Sequence, residues 1–324
     1  MIPAAIVGLG RWGRNIVEAS LGHEKLKIVR AVEPDVDAAQ DFCNRHHLQL
    51  GPALEAVLGD PAIKAVLLAT PHSLHPAQVI ACAAERKQVF CEKPLALHRA
   101  DAARMFDACR QAGVILAVGH NRRFWPSLRA LRDIVASGEL GTLLHVEGHN
   151  SNENSQSITA GWRLSEAESP GGGLTGAGLH VLDAFVSMLG PVRRVSAQLH
   201  ARETGPPPLD TAMLMLDFAN GVTGTLATIR ATPFYWRVHL FGTRGSAEVL
   251  DETTLILRMS GSKPQTRTFP AIDVLRAELD AFADAVDGRR PFPVPEADVL
   301  ATLSAFEAAL ASMKSGNPVH CDGG

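Results

Sequence analysis

The chain has 324 residues, 46% hydrophobic and 20% charged, with a formal charge of −3. That is long for one hydrophobic core and predicts two domains. The charge excludes the basic footprint of a nucleic-acid binder, and no stretch reaches the roughly 20 apolar residues that cross a bilayer.

The opening MIPAAIVGLGRWG enters a fold element directly, with no basic n-region or cleavage site, so no signal peptide is expected. The chain's 5 cysteines are scattered, with no CxxC pair. This predicts reduced thiols and a cytoplasmic location. Cys91 is expected to be a small buried thiol rather than a nucleophile. No His/Cys cluster has metal-ligand spacing, so no metal is expected.

From residue 1 to 120 short apolar runs alternate with helical stretches. AAIVGLG (4–10), KIVRAVE (27–33), AVLLAT (65–70), QVFCE (88–92) and ILAVGH (115–120) suit strands buried on both faces. Helical patterns fall near 12–22, 36–46, 76–86 and 99–112. This alternation predicts βαβ units and a parallel, Rossmann-type sheet.

Gly8, Gly10 and Gly13 fit GxGxxG between the first strand and the first helix. Glycines there allow a tight turn and let the backbone of Arg11, Trp12 and their neighbours approach a pyrophosphate at a helix N-terminus. Glu33 closes the next strand, where an acid accepts hydrogen bonds from an adenosine ribose. A carboxylate at that place favours NAD. Arg11 and Arg14 offset part of its repulsion of a 2′-phosphate and keep NADP open. The segment Thr70-Pro71-His72-Ser73-Leu74-His75 follows the next strand at the same sheet edge. His72 and His75 there are either walls of a nicotinamide pocket or helix-start residues. Glu92-Lys93-Pro94 leaves the following strand at that edge, with Pro94 turning the chain. Lys93 is a candidate catalytic residue; Glu92 either orients it or makes a structural contact.

From 121 to 324 the texture changes. LLHVEGHN, RRVSAQLHAR, TAMLMLDF, VTGTLATIRA, WRVHLFGT and AEVLDE read as strands without obligatory intervening helices. Asn220-Gly221 is a hairpin signal. The second domain is therefore expected to be α+β with a large open antiparallel sheet. Residues 151–173 read as a long polar loop, and 274–287 and 296–314 as helices. These C-terminal helices are free to pack back on the first domain. Asn150, Asn152 and Asn154 stand either as substrate-side groups or as ordinary loop formers.

GLGRWG, ATPHSLH, CEKP, GHNRRFWP, GWRL and GGGLTGAGLHVLD occur in an order and spacing that resembles the Gfo/Idh/MocA oxidoreductase family almost end to end. The resemblance implies a Rossmann domain followed by an open-sheet domain. It implies hydride transfer between NAD(P) and a hydroxyl-bearing carbon, often of a sugar or cyclitol. It places Lys93 beside nicotinamide and substrate, and His180 facing it. Arg123, Trp162 and Arg163 become substrate-side candidates, and a homodimer or homotetramer through the open sheet is expected. Many members carry an Asp four residues before that His, and here the position is Gly176. Asp183, three residues after His180, either orients it or is structural.

Alcohol oxidation needs a hydride acceptor and a base. A neutral His can take the hydroxyl proton, and an ammonium stabilises a developing alkoxide. His180 is thus read as the base and Lys93 as electrostatic partner or relay. Competing readings are a dehydrogenase or reductase of a cyclic dihydrodiol or carboxylated aromatic, and a non-catalytic dinucleotide-binding regulator.

Overall fold

The computed structural model describes residues 1–152, 161–202 and 210–321. They divide into two units, 1–121 with 273–295, and 122–272 with 296–321. No helix among the described residues is long and apolar enough to cross a membrane.

The first unit holds β1 (Ile2–Val7), α1 (Arg11–Ser20), β2 (Leu26–Val32), α2 (Val36–Arg45), β3 (Gln49–Gly51), α3 (Glu55–Leu58), β4 (Ala65–Leu68), α4 (His75–Ala84), β5 (Gln88–Glu92), α5 (Arg99–Ala112) and β6 (Leu116–Gly119). The sheet is six-stranded in the order β3-β2-β1-β4-β5-β6, and every pair is parallel. The order reverses between β1 and β4, so a crevice opens at their carboxyl ends. β3 and α3 are too short to show a period, and the sequence does not announce them.

Ile6, Ile16, Leu26, Leu67 and Phe90 form the core of this unit. Leu279, Phe282 and Ala283 complete it, and they come from a helix about 150 residues further on, α8 (Val274–Val286). The Phe90 and Phe282 rings meet edge to face, centroids 5.8 Å apart. Polar ties add to the apolar face. Lys25 pairs with Asp284 at 2.7 Å, and Arg276 donates to the carbonyls of Leu21 and Gly22, both at 2.9 Å, just beyond the end of α1. Arg276 thereby serves carbonyls that α1 leaves without a helical partner.

The second unit holds α6 (Pro126–Ala136), β7 (Leu143–Asn152), a π-helical turn (Leu174–Gly178), α7 (Leu179–Leu189), β8 (Val192–Ala201), β9 (Asp210–Phe218), β10 (Thr223–Arg230), β11 (Tyr235–Gly242), β12 (Gly245–Val249), β13 (Thr254–Met259), β14 (Gln265–Thr268), α9 (Glu296–Ser315) and β15 (Val319–His320). Among the described residues the strands make one nine-stranded sheet, β14-β13-β12-β11-β7-β10-β9-β8-β15.

The sheet is not wholly antiparallel, as the sequence had suggested: β7 and β10 run parallel. Their connection passes through α7, β8 and β9, which gives the chain the length to return in the same direction. The Asn220-Gly221 signal does join β9 to β10 antiparallel. α7 lies directly on β7: a Cβ at Gly148 would stand 2.3 Å from Val181 and 2.5 Å from Phe185. α9 meets β8 where Ser312 Oγ accepts the Ala197 N–H at 2.9 Å.

Candidate active site

The glycine-rich turn is shaped by contacts that leave no room for side chains. Gly8 has φ +90°, and a Cβ there would stand 2.8 Å from the Ala69 carbonyl oxygen. A Cβ at Gly13 would meet the Gly8 carbonyl oxygen at 1.9 Å. Gly10 differs. It caps the N-terminus of α1 with φ −64°, and nothing lies within 4 Å of its Cβ position. The turn therefore presents bare backbone and a helix N-terminus to open space, the cradle that a pyrophosphate requires.

Glu33 sits beside this turn, its Oε2 accepting the Leu9 N–H at 2.8 Å. Its other oxygen is 3.4 Å from the Asp35 N–H, which leaves acceptor capacity for ribose hydroxyls. Arg14 is spent as a strut, donating to the carbonyls of Leu9 at 2.9 Å and Ala38 at 3.0 Å. Arg11 is exposed at the start of α1. Trp12 packs against the core of the unit. These residues fit a dinucleotide, with Glu33 on the adenosine side and the turn on the phosphates.

At the end of β4, Thr70 Oγ1 donates to Gln78 at 2.6 Å. Pro71 precedes a short 3₁₀ turn, His72–Leu74. His75 is fully buried. Its Nδ1 lies 3.0 Å from the Pro94 carbonyl oxygen and its Nε2 3.1 Å from that of Thr70. Each neutral tautomer serves one of these oxygens, and the imidazolium serves both. His75 is therefore a clasp between the loops that follow β4 and β5, and its ring nitrogens face protein backbone.

The loop after β5 carries Glu92, buried, and Lys93, half-buried. The Lys93–Pro94 peptide is cis. Glu92 Oε2 accepts the Lys93 N–H at 3.3 Å, and Glu92 Oε1 lies 2.8 Å from where a Gly119 Cβ would stand. The Glu92 carboxylate thus fills space that Gly119 in β6 leaves open and braces the Lys93 backbone. Cys91 is fully buried; burial pushes its thiol well above the usual range, and the neighbouring Glu92 charge adds to this. An inert thiol results. Gly8, Gly10, Gly13, Glu33, Thr70, Pro71, His75, Glu92 and Lys93 all gather at the carboxyl edge of one parallel sheet.

In the second unit, His180 is the second residue of α7 and half-buried. Gly176 lies one turn earlier, exposed, with nothing within 4 Å of its Cβ position. Arg123 is held by carboxylates of its own unit. It makes a two-pronged pair with Asp183, Nε to Oδ2 at 2.8 Å and Nη2 to Oδ1 at 2.7 Å, and reaches Asp298 at 2.7 Å. Burial alone would weaken its charge, but the carboxylates of Asp183 and Asp298 outweigh that and hold the guanidinium protonated. Asp183 is accordingly bound to Arg123. Trp162 and Arg163 form a stacked pair, the guanidinium carbon 4.2 Å from the ring centre. Asn150 turns inward, its Nδ2 donating to the Ala177 carbonyl at 2.9 Å. Asn152 ends β7, half-buried, and Asn154 lies outside the described residues.

Sequence reasoning missed the His75 clasp, the space Gly119 leaves for Glu92, and Asp210 at the start of β9. No local pattern marks any of them, because Pro94, Gly119 and Gly173 lie far along the chain from His75, Glu92 and Asp210.

Residues 2–120 match the oxidoreductase family with an NAD-binding Rossmann fold, and residues 128–248 match the GFO/IDH/MocA C-terminal domain. A myo-inositol 2-dehydrogenase of Thermotoga maritima is 33% identical over 78% of this chain and 77% of its own. A 2,7-anhydro-N-acetylneuraminate hydratase of Escherichia coli is 27% identical over 83% of this chain and 72% of its own. A levoglucosan dehydrogenase solved with NADH and levoglucosan superposes with a TM-score of 0.89 at 20% identity, covering 99% of both chains.

Proposed function

This chain belongs to the Gfo/Idh/MocA family of NAD-binding oxidoreductases, and from that premise we propose that it moves hydride between NAD and a hydroxyl-bearing carbon of a sugar, cyclitol or similar small polar molecule. The observation that carries the reading is the position of Lys93. It stands at the ligand edge of the parallel sheet, its N–H on the Glu92 carboxylate and the next carbonyl held by His75. NAD, when bound, supplies the hydride acceptor. The Gly8–Gly13 turn holds its phosphates and Glu33 its adenosine ribose.

Lys93 Nζ, as an ammonium, stabilises negative charge developing on the substrate oxygen. His180 takes the hydroxyl proton on a ring nitrogen during oxidation and returns it during reduction. No carboxylate precedes His180 by one turn, because that position is Gly176. The open space there suits a bulkier substrate, which keeps a cyclic dihydrodiol or carboxylated aromatic as the second substrate reading.

We place the enzyme in the cytoplasm as a homodimer or homotetramer. All 5 cysteines are free thiols, which suits a reducing compartment. Met213, Met215, Ile229 and Tyr235 are exposed on one face of the open sheet, at 45%, 63%, 38% and 48%, while Ala212, Leu214 and Leu216 of the same strand β9 are buried. These four side chains suit contact with a second copy of the chain. Light scattering that gives a monomer at micromolar concentration would remove this element.

Lys93→Ala is expected to lose hydride transfer by at least about a hundredfold while keeping NAD affinity. Full turnover in that variant sinks the assignment. A screen of polyols, sugars, dihydrodiols and aromatic acids should follow both cofactor absorbance and substrate loss, because one relative is named a hydratase.

A further inference from the structure

The segment leading into α7 is gripped from beneath by polar side chains of the sheet. Asp210, at the start of β9, is 2% exposed. Its Oδ1 accepts the Gly173 N–H at 3.0 Å, and its Oδ2 pairs with Arg230 Nε of β10 at 3.1 Å. The contact with the turn is close: a Cβ at Gly172 would stand 2.4 Å from Oδ2. Four residues on, the Ala177 carbonyl accepts from Asn150 of β7 at 2.9 Å. Between these grips, Thr228 of β10 is buried under the turn, its methyl 2.7 Å from a Cβ at Gly178. Thr228 is the register partner of Asn150 across the parallel β7–β10 pair. Thr175 Oγ1 donates to the Pro170 carbonyl and closes the turn on itself.

Gly173 opens the π-helical turn, and Leu179 alone separates that turn from His180. Fixing the Gly173 amide and the Ala177 carbonyl therefore fixes where α7 begins and how its first turn is rotated. A buried ion pair is a weak source of stability, since well-packed apolar residues serve as well. A carboxylate placed to hold one specific amide instead sets geometry.

We propose that Asp210 is a positioning residue for His180, acting through the Gly171–Gly173 turn, with Asn150 as the second grip. The inference rests on the reading of His180 as the proton acceptor. A displacement of about 1 Å at a reacting group costs on the order of a hundredfold in rate; slackening one of two grips is expected to cost about tenfold.

The test compares Asp210→Ala, Asp210→Asn, Asn150→Ala and His180→Gln in the full-length protein. Folding is followed by thermal melting and NAD affinity by fluorescence titration. Steady-state kinetics are taken from pH 5 to 10 with the substrate from the screen. Asp210→Ala should lose about tenfold in kcat, with NAD Kd and KM within about twofold. The pH limb that His180→Gln abolishes should be displaced in it. Asp210→Asn keeps an acceptor for the Gly173 amide and should recover most of the loss. Wild-type kcat and pH profile in a folded Asp210→Ala overturn the proposal, and so does a parallel fall in kcat and NAD affinity. If Asp210→Ala does not fold, Asn150→Ala must show the same kcat-selective loss, and a wild-type kcat there overturns the proposal. Full turnover in His180→Gln defeats the base assignment and the proposal together; loss in His180→Gln beside wild-type Asp210 and Asn150 variants defeats the positioning role alone.

Discussion

The Glu33 carboxylate accepts the Leu9 N–H at 2.8 Å, so the acid that would read the ribose also braces the turn that would hold the phosphates. Glu33→Ala removes both functions, and Glu33→Gln keeps an acceptor for Leu9. The alanine variant should bind NAD about tenfold more weakly, a loss of the size of one charge-assisted hydrogen bond. The glutamine variant should fall between, with a relative gain for NADP because the charge is gone. Titration with both cofactors checks this; tighter NADP than NAD binding by the unaltered protein would contradict the role of Glu33.

The glycines of the turn should separate folding from binding. Gly13→Ala drives a Cβ into the Gly8 carbonyl at 1.9 Å and should cost about 2–4 kcal/mol of stability. Gly10→Ala meets nothing within 4 Å and should cost no more than about 1 kcal/mol, the preference of a helix N-cap for Gly over Ala. Its methyl would nonetheless occupy the approach of the pyrophosphate, so NAD affinity should drop. Urea unfolding beside NAD titration of the two variants decides the matter.

His75→Ala leaves the carbonyls of half-buried Thr70 and buried Pro94 without the ring nitrogens they face at 3.1 and 3.0 Å. A cost of about 1–3 kcal/mol is expected, with kcat reduced because the Lys93 loop loses its clasp. His75→Gln donates through its amide and should recover part of both. If His75→Ala loses NAD affinity with no change in the turnover of the bound complex, the residue touches cofactor instead.

Arg123→Ala should be among the most destabilising single changes. It removes the two-pronged pair from Asp183, whose side chain is 1% exposed, and breaking one side of a buried pair costs about 3–5 kcal/mol. Arg123→Met combined with Asp183→Leu should recover most of that loss in denaturant unfolding. A folded Arg123→Ala with near-normal stability and a raised substrate KM would return Arg123 to the substrate.

His23 should make stability pH-dependent. Its Nδ1 accepts the N–H groups of Lys25 and Leu26 at 3.0 and 3.1 Å, and Nε2 faces Asp280 at 3.2 Å. Burial holds its pKa below the ordinary 6.5, although Asp280 works the other way. The folded state then binds fewer protons than the unfolded one just below pH 6.5. Stability is therefore full above that pH and falls as the pH drops towards the lowered folded value. Unfolding from pH 8 to 5 should show this slope, flattened in His23→Gln; an unchanged slope would exclude His23 as its source.

The candidate site could be drawn from the sequence because its signals are local. The turn glycines, Glu33 and Lys93 each sit at the carboxyl end of a strand whose apolar run is visible in sequence. The hairpin at Asn220-Gly221 is read the same way. Arg123 was ambiguous for a physical reason: a guanidinium suits a substrate carboxylate and a buried Asp equally, and Asp183 and Asp298 lie 60 and 175 residues away. His75 was ambiguous for the same reason, since Pro94 is 19 residues on.

Hydrophobic period and turn chemistry act over a few residues, and so the sequence alone determined the parallel first sheet, the mostly antiparallel second one and the dinucleotide turn. Tertiary structure decided what depends on distant partners. It set α8 on the Rossmann core, ran β7 parallel to β10, and spent Arg123 and Arg14 on internal contacts. It also put Asp210 beneath the turn that leads to His180. Such contacts are selected by shape, burial and unsatisfied hydrogen bonds once the chain has folded, and nothing in the neighbouring residues records them.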